Sequence, residues 1–287
     1  MLKTLRLTDK DISTGTAMLL GGFDGLHIGH RRLLSCAKAS GLPVGVMTII
    51  GGKDEALFTF PEREDIFRRA GLDFVYELDF AEIKELSPKE FLALLEKDFS
   101  PKLFVCGDDF RFGKGAQGTA ETIKQATQVR VEVENLLTMD GEKISTRTVK
   151  RLLEDGEIEK ANALLGEEFF LVGEVYKDRG VGKTLGFPTA NIAYPKNKFP
   201  LKHGVYETRV TLDGKAYKCI TNFGARPTFD DTQTPTETYL DGYTGELYGK
   251  TLTVRFVRFL REITKFENAK ALQKQLCEDI RRVREND

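Results

Sequence analysis

The spacing of apolar residues changes character near residue 166, and that change limits the fold more than any single motif. Before it, short apolar runs alternate with helical patterns. Ala17-Met18-Leu19-Leu20 ends in Gly21-Gly22 and reads as a buried strand with its turn. Leu33, Leu34 and Ala37 then recur at helical spacing, and Gly41 stops the helix. Pro43 to Ile50 is a second apolar run. Ser87 and Pro88 fit the N-cap and first position of a helix reaching Glu96. Leu103-Phe104-Val105-Cys106, closed by Gly107, is another buried strand, and Val129 to Val133 alternates as a strand. This rhythm predicts an α/β unit: a parallel sheet with helices on both faces. After residue 166 the strands follow one another. Phe169 to Tyr176, Val205 to Leu212, Lys215 to Thr221 and Thr251 to Phe259 read as strands, with Asp213-Gly214 as a hairpin turn. A small antiparallel β-barrel fits, closed by a C-terminal helix with Ala271, Leu272, Leu276 and Ile280 on one face.

The chain has 287 residues, enough for two cores. The expected division is a domain over 1–150, a charged helical linker over 151–166 and a second domain over 167–287. The formal net charge of −1 gives no footprint for nucleic acid and no polybasic membrane anchor. No run reaches the ~18 apolar residues of a membrane span. Met1 to Asp11 mixes charged and apolar residues and does not read as a signal peptide. Cys36, Cys106, Cys219 and Cys277 are far apart and suggest neither a zinc site nor a disulfide framework, which points to the reducing cytoplasm. The expected partners are small molecules; the sequence sets no oligomeric state.

Two of the three histidines lie in Gly21-Gly22-Phe23-Asp24-Gly25-Leu26-His27-Ile28-Gly29-His30. The segment follows a strand and opens a helix, where backbone N–H groups and the helix dipole favour phosphate. Glycines let the backbone approach a ligand. A spacing of three puts His27 and His30 near one face of the first turn, where both could donate to a nucleotide. The bland alternative is a pair of capping histidines on a surface turn.

His27-Ile28-Gly29-His30 resembles the His-x-Gly-His signature of nucleotidyltransferases. The longer stretch, with Leu33-Leu34, looks like the N-terminal domain of bacterial bifunctional riboflavin kinase/FAD synthetases. Gly107-Asp108-Asp109-Phe110-Arg111-Phe112-Gly113 is similar to that family's second landmark, and Ile144-Ser145-Thr146-Arg147-Thr148 to its third. The resemblance implies a Rossmann-like nucleotidyltransferase domain. It implies ATP contacts from Gly22, Phe23, Asp24, His27, His30, Ser145 and Thr148, and flavin contacts from Asp109 and Phe110. His27 and His30 would act in the transfer itself. Two departures stand out. The family usually has Pro-His-Pro after its second strand, where this chain has Met47-Thr48-Ile49-Ile50-Gly51-Gly52-Lys53. It usually ends the third landmark in arginine, where Lys150 stands, and has a small hydroxyl residue in place of Arg147.

In the second half, Gly180-Val181-Gly182-Lys183-Thr184 imitates a Walker A loop, but Lys177 stands where its first glycine belongs. Thr184-Leu185-Gly186-Phe187-Pro188-Thr189-Ala190-Asn191 follows. In an extended segment Thr189 and Asn191 face the same way, and their oxygens suit Mg²⁺ bridged by ATP phosphates. The pattern fits equally well a polar turn bonded to its own backbone.

The stretch from Gly182 to Asn191 is similar to the hallmark of riboflavin kinases. Further matches follow in order: His203-Gly204-Val205-Tyr206, Asn222-Phe223-Gly224-Ala225-Arg226-Pro227-Thr228-Phe229, Glu237 before Tyr248-Gly249, and Arg261 with Lys265-Phe266. The resemblance implies that Thr189 and Asn191 hold the Mg²⁺ of MgATP and that Gly182, Lys183 and Gly186 lie along its phosphates. Arg226 and Arg261 would contact the flavin, and Glu237 would be the general base. Tyr239 stands where the family often has histidine, and Asp241-Gly242 breaks an apolar pattern. The implied activity is phosphorylation of riboflavin to FMN by MgATP, followed by adenylylation of FMN to FAD. The alternatives are a riboflavin kinase with an inactive nucleotide-binding domain, and a non-catalytic flavin-binding regulator.

Overall fold

The computed structural model describes residues 3–7, 15–52, 55–135, 137–139, 141–177, 186–224 and 235–285. It divides into two compact units, Met1–Thr148 and Val149–Asp287.

The first unit is a six-stranded sheet of β1 (Lys3–Arg6), β2 (Thr16–Leu20), β3 (Val44–Ile50), β4 (Phe74–Asp79), β5 (Pro101–Gly107) and β6 (Arg130–Glu134), in the order β1-β4-β3-β2-β5-β6. β2 to β6 are parallel, and β1 lies antiparallel against β4 at one edge. Alternate side chains take opposite faces. Met18, Leu20, Met47, Phe74, Tyr76, Phe104 and Cys106 form one core with residues of α3 (Phe80–Ile83), α4 (Pro88–Phe99) and α5 (Ala120–Ala126). α1 (Ile28–Ala39) lies against β2, β3 and β5 and buries Leu33, Leu34 and Ala37. Ser87 caps α4, accepting from the Glu90 N–H at 3.3 Å, and Glu90 returns the bond to the Ser87 N–H at 2.8 Å. These features give the Rossmann-like layering expected from the sequence. From β2 the chain steps to β3 and β4 on one side, then returns to place β5 on the other. Open α/β sheets bind ligands beyond the carboxyl ends of the strands at such a reversal. Both Gly21-Gly22 and Gly107-Asp108-Asp109 leave the sheet there.

The second unit is a closed antiparallel barrel of β9 (Phe169–Tyr176), β10 (Thr189–Ala193), β11 (Gly204–Leu212), β12 (Lys215–Phe223), β13 (Pro235–Leu240) and β14 (Thr251–Arg261), in the order β10-β13-β12-β11-β14-β9. The two-stranded β7 (Thr138–Met139) and β8 (Glu142–Lys143) belong to the first unit. Asp213 and Gly214 have φ of 51° and 78°, as a two-residue hairpin turn demands. The sequence marked β9, β11, β12 and β14 as strands. β13 lacks an apolar alternation because Thr236 and Thr238 occupy its inward face, while β10 alternates through buried Ala190 and Ile192 over only five residues. Inward, Thr208 bonds Thr221 at 2.7 Å and Thr221 bonds Thr238 at 2.9 Å, a ladder buried inside the barrel.

The helical stretch expected between the halves consists of α6 (Thr146–Asp155) and α7 (Ile158–Leu165), separated at Gly156 with φ of 80°. α7 packs on β9 and β14. Asn162 donates to the Phe256 carbonyl at 2.8 Å and accepts from the Phe169 N–H at 2.7 Å. α8 (Ala269–Glu285) sets Ile280 and Val283 against Val205 and Ile220, while Ala271, Leu272 and Leu276 stay half-buried. No helix among the described residues is long and apolar enough to cross a membrane.

Candidate functional site

His27 is the N-cap of α1. Its Nδ1 accepts the His30 N–H at 3.2 Å, so a neutral ring carries its proton on Nε2. His30 Nδ1 lies 2.9 Å from the Gly25 carbonyl, which can only accept, so Nδ1 carries that ring's proton. The two rings stack with centroids 3.6 Å apart, and Phe23 tilts against His30 at 4.3 Å. Gly29 makes the stack fit: a Cβ there would meet His27 Nδ1 at 3.1 Å. Burial pushes the His27 imidazole down to about 4, partly opposed by its backbone bond and by Asp109. His30 is held well below its usual value by burial and by His27. Both rings are therefore neutral at pH 7, and His27 presents an N–H donor.

Parts of the other landmarks lie close to the pair: Asp109 acts on His27, and Ile144 lies near Gly29. Asp109, beyond β5, is ion-paired with Lys143 of β8, and both act on the His27 ring. Phe110 stacks on Phe112 at 5.5 Å. Ser145 accepts the Thr148 N–H at 3.2 Å, and the Thr148 hydroxyl donates to the Lys143 carbonyl at 2.7 Å. Ser145 and Thr148 thus shape the turn into α6. The sequence reading missed Lys143 and Arg63. Arg63, 7% exposed on α2 (Phe60–Arg69), donates to Thr48 Oγ1 at 2.8 Å and feels the carboxylates of Asp24 and Glu77. No local pattern marks either residue, because their partners lie on distant strands and loops.

In the barrel, strand register does the assembling. Asn191 of β10 is paired with Glu237 of β13, and Glu237 is paired on its other side with Asn222 of β12. Thr189 faces Tyr239 in the adjacent row. Residues opposed in an antiparallel ladder share a face, with Cβ atoms about 5 Å apart. Ala190, Thr221 and Thr238 point inward, so Asn191, Glu237 and Asn222 form a polar row on the outer face. That row continues through Val205 to Arg261. Arg261 is engaged: Nε and Nη2 reach the buried Asp279 of α8 at 3.1 and 2.8 Å, and Nη1 donates to the Glu262 carbonyl at 3.1 Å. Gln275 adds a bond to Asp279 at 2.9 Å. Asn222 fell within a quoted motif, but only the register reveals it as the neighbour of Glu237. Gly182, Lys183 and Arg226 lie outside the described residues.

Comparison with known proteins bears on both units. The FAD synthetase family pattern matches residues 9–148, and the riboflavin kinase pattern matches residues 165–286. The bifunctional riboflavin kinase/FMN adenylyltransferase of Bacillus subtilis is 30% identical, over 97% of this chain and 96% of its own. The chain belongs to the bifunctional riboflavin kinase/FMN adenylyltransferase family. A member from Pseudomonas fluorescens is also 30% identical, covering 94% of this chain and 92% of its own. A crystal structure described as a macrolide-efflux protein from Streptococcus pneumoniae superposes with a TM-score of 0.88 at 28% identity, covering 98% of both chains.

Against this family, the departures seen in the sequence have local accounts. Met47 to Ile50 complete β3 and lead into Gly51 with φ of 70°. Lys150 places its ammonium 4.8 Å from the centre of the Phe199 ring, a cation–π contact, and Arg147 is exposed. Tyr239 and Asp241 are joined to each other and to α8.

Proposed function

We propose that the barrel unit phosphorylates riboflavin to FMN and that the α/β unit adenylylates FMN to FAD. The two domains are assigned to 1–150 and 167–287, with 151–166 between them. The observation that carries the kinase reading is the pairing of Glu237 with Asn191, one row from Thr189, on a single outer face.

Glu237 is the general base: its carboxylate takes the proton of the riboflavin 5′-hydroxyl as that oxygen attacks the γ-phosphorus of ATP, and ADP leaves. Thr189 and Asn191 offer hydroxyl and amide oxygens. That hard donor set fits Mg²⁺ arriving on nucleotide phosphates, where few protein ligands are needed. Mg²⁺ would supply charge neutralisation at the transferring phosphoryl group. Gly182, Lys183 and Gly186 would lie along the phosphates, and Arg226 near the flavin. Arg261 serves the flavin site by fixing α8 through Asp279.

In the α/β unit, a phosphate oxygen of FMN attacks the α-phosphorus of ATP and pyrophosphate leaves. Gly22, Phe23 and Asp24 form the loop under the nucleotide. The His27 Nε2–H and the N-terminus of α1 hold the developing charge. His30 orients that loop through Gly25 and donates at Nε2 when a nearby phosphate draws a proton onto it. Ser145 and Thr148 set the start of α6 beside the ATP, and Asp109 and Phe110 face the flavin. The free thiols fit a reducing cytoplasm.

Purified protein incubated with riboflavin and MgATP, with the flavins then separated by chromatography, tests this reading. FMN followed by FAD is the expected result. FMN alone would leave a riboflavin kinase with an inactive second domain. Neither product, from folded protein that binds flavin, would favour a regulatory flavin binder.

A further inference from the structure

Tyr239 lies two residues beyond Glu237 on β13, so both side chains share the outer face of the barrel. It stands opposite Thr189 on one side and Ile220 on the other. Its hydroxyl is used close at hand, donating to the Asp241 carboxylate and accepting from the Gly242 N–H. Asp241 is itself gripped by a fork from Arg284 of α8, Nε to Oδ2 and Nη2 to Oδ1, both at 2.7 Å. Lys218 Nζ also reaches the Arg284 carbonyl at 3.5 Å. With its hydroxyl held this way, what Tyr239 offers a ligand is its ring. That ring meets Phe187 edge to face, centroids 5.4 Å apart at 73°, and both rings remain half-buried. Phe187 lies two residues before Thr189. Beneath the pair, Ile220, Val283 and Leu260 provide a packed floor.

An aromatic pair fixed from below, left partly open, and placed beside the reacting groups suits recognition better than core filling. We propose that Tyr239, with Phe187, forms a wall of the kinase site that packs against the planar heteroaromatic ring of a substrate, the flavin or the adenine. This inference rests on the riboflavin kinase reading of the barrel. A ring locked in advance gains contact area at little cost in side-chain freedom.

The test compares wild-type protein with Tyr239→Phe and Tyr239→Leu in steady-state FMN formation, varying riboflavin and ATP separately. Thermal unfolding and bound-riboflavin fluorescence are recorded alongside. Tyr239→Leu should raise KM for one of the two ring-bearing substrates about tenfold, more than kcat falls. Tyr239→Phe, which keeps the ring, should change KM by no more than about threefold. A rise confined to riboflavin, with brighter fluorescence from bound flavin once the electron-rich phenol is gone, assigns the wall to the flavin. A rise confined to ATP assigns it to adenine. Unchanged KM for both substrates in a Tyr239→Leu protein that forms FMN would overturn the inference and leave the kinase reading intact. No FMN from wild-type protein would overturn both.

Discussion

The two candidate sites are built in opposite ways. In the α/β unit the central group is local: Phe23, Gly25, His27, Gly29 and His30 lie within eight residues and lock one another through stacking and two backbone bonds. In the barrel the central group is assembled across strands. Asn191, Asn222 and Glu237 meet because three strands pair in one register. A local site inherits its geometry from a helix start and survives changes elsewhere. A register-built site depends on every element that holds the strands in line. The electrostatics differ in the same sense: burial keeps the two histidines neutral, whereas in the barrel row Asn191 is buried but Glu237 and Asn222 are only half-buried.

The sharpest way to break this comparison is Glu237→Gln. FMN formation should fall by ~10²–10⁴, while FAD formation from supplied FMN keeps its rate. An equal fall in both steps would mean that the sites are not separate. Arg261→Met probes the register-built site from a distance. It leaves Asp279 buried without its guanidinium partner, and the barrel unit should lose about 3–5 kcal/mol in denaturant unfolding. Kinase activity should fail at temperatures where adenylylation persists. His27→Asn preserves a capping oxygen but removes the imidazole, so helix stability should be kept. FMN adenylylation should drop by ~10²–10³ and riboflavin phosphorylation should be unaffected.

A further prediction concerns stability against pH. His27 titrates near 6.5 when unfolded and at about 4 when folded. Between those values the unfolded chain binds a proton that the folded chain refuses, so stability rises with pH across the window and is lost as pH falls from about 6.5 to about 4. The slope approaches about 1.4 kcal/mol per pH unit for one such group, and His30 acts in the same direction. Unfolding midpoints of the α/β unit, measured across that range, should be less steep in His27→Asn. An unchanged slope would place the buried neutral ring in error.

Much of this was legible in the chain because the signals are short-ranged. The alternation of strand and helix marked the parallel sheet, Gly41 and Ser87 marked helix ends, and Asp213-Gly214 marked a hairpin. The glycines around His27 and His30 marked the turn that opens α1. β13 was not legible as a strand, since threonines stand on its interior face where apolar residues were expected, and β10 is too short for its Ala190 and Ile192 alternation to stand out. Lys143 and Arg63 gave no sign, because each is placed by a fold that brings distant segments together. Arg261 was legible as a landmark, but its partner Asp279 lies eighteen residues on and on another element.

The sequence by itself determined the division into an α/β half and a β half, the helix-start turn with its paired histidines, and the identity of Thr189, Asn191 and Glu237 as candidates. Helix caps, turns and binary patterns act over a few residues, so they can be read directly. Tertiary structure alone decided that Asn191, Glu237 and Asn222 stand in one row, that Arg261 is tied to α8, and that Tyr239 is held by Asp241 and Arg284. Those facts follow from strand register and helix docking, which depend on the packing of the whole unit.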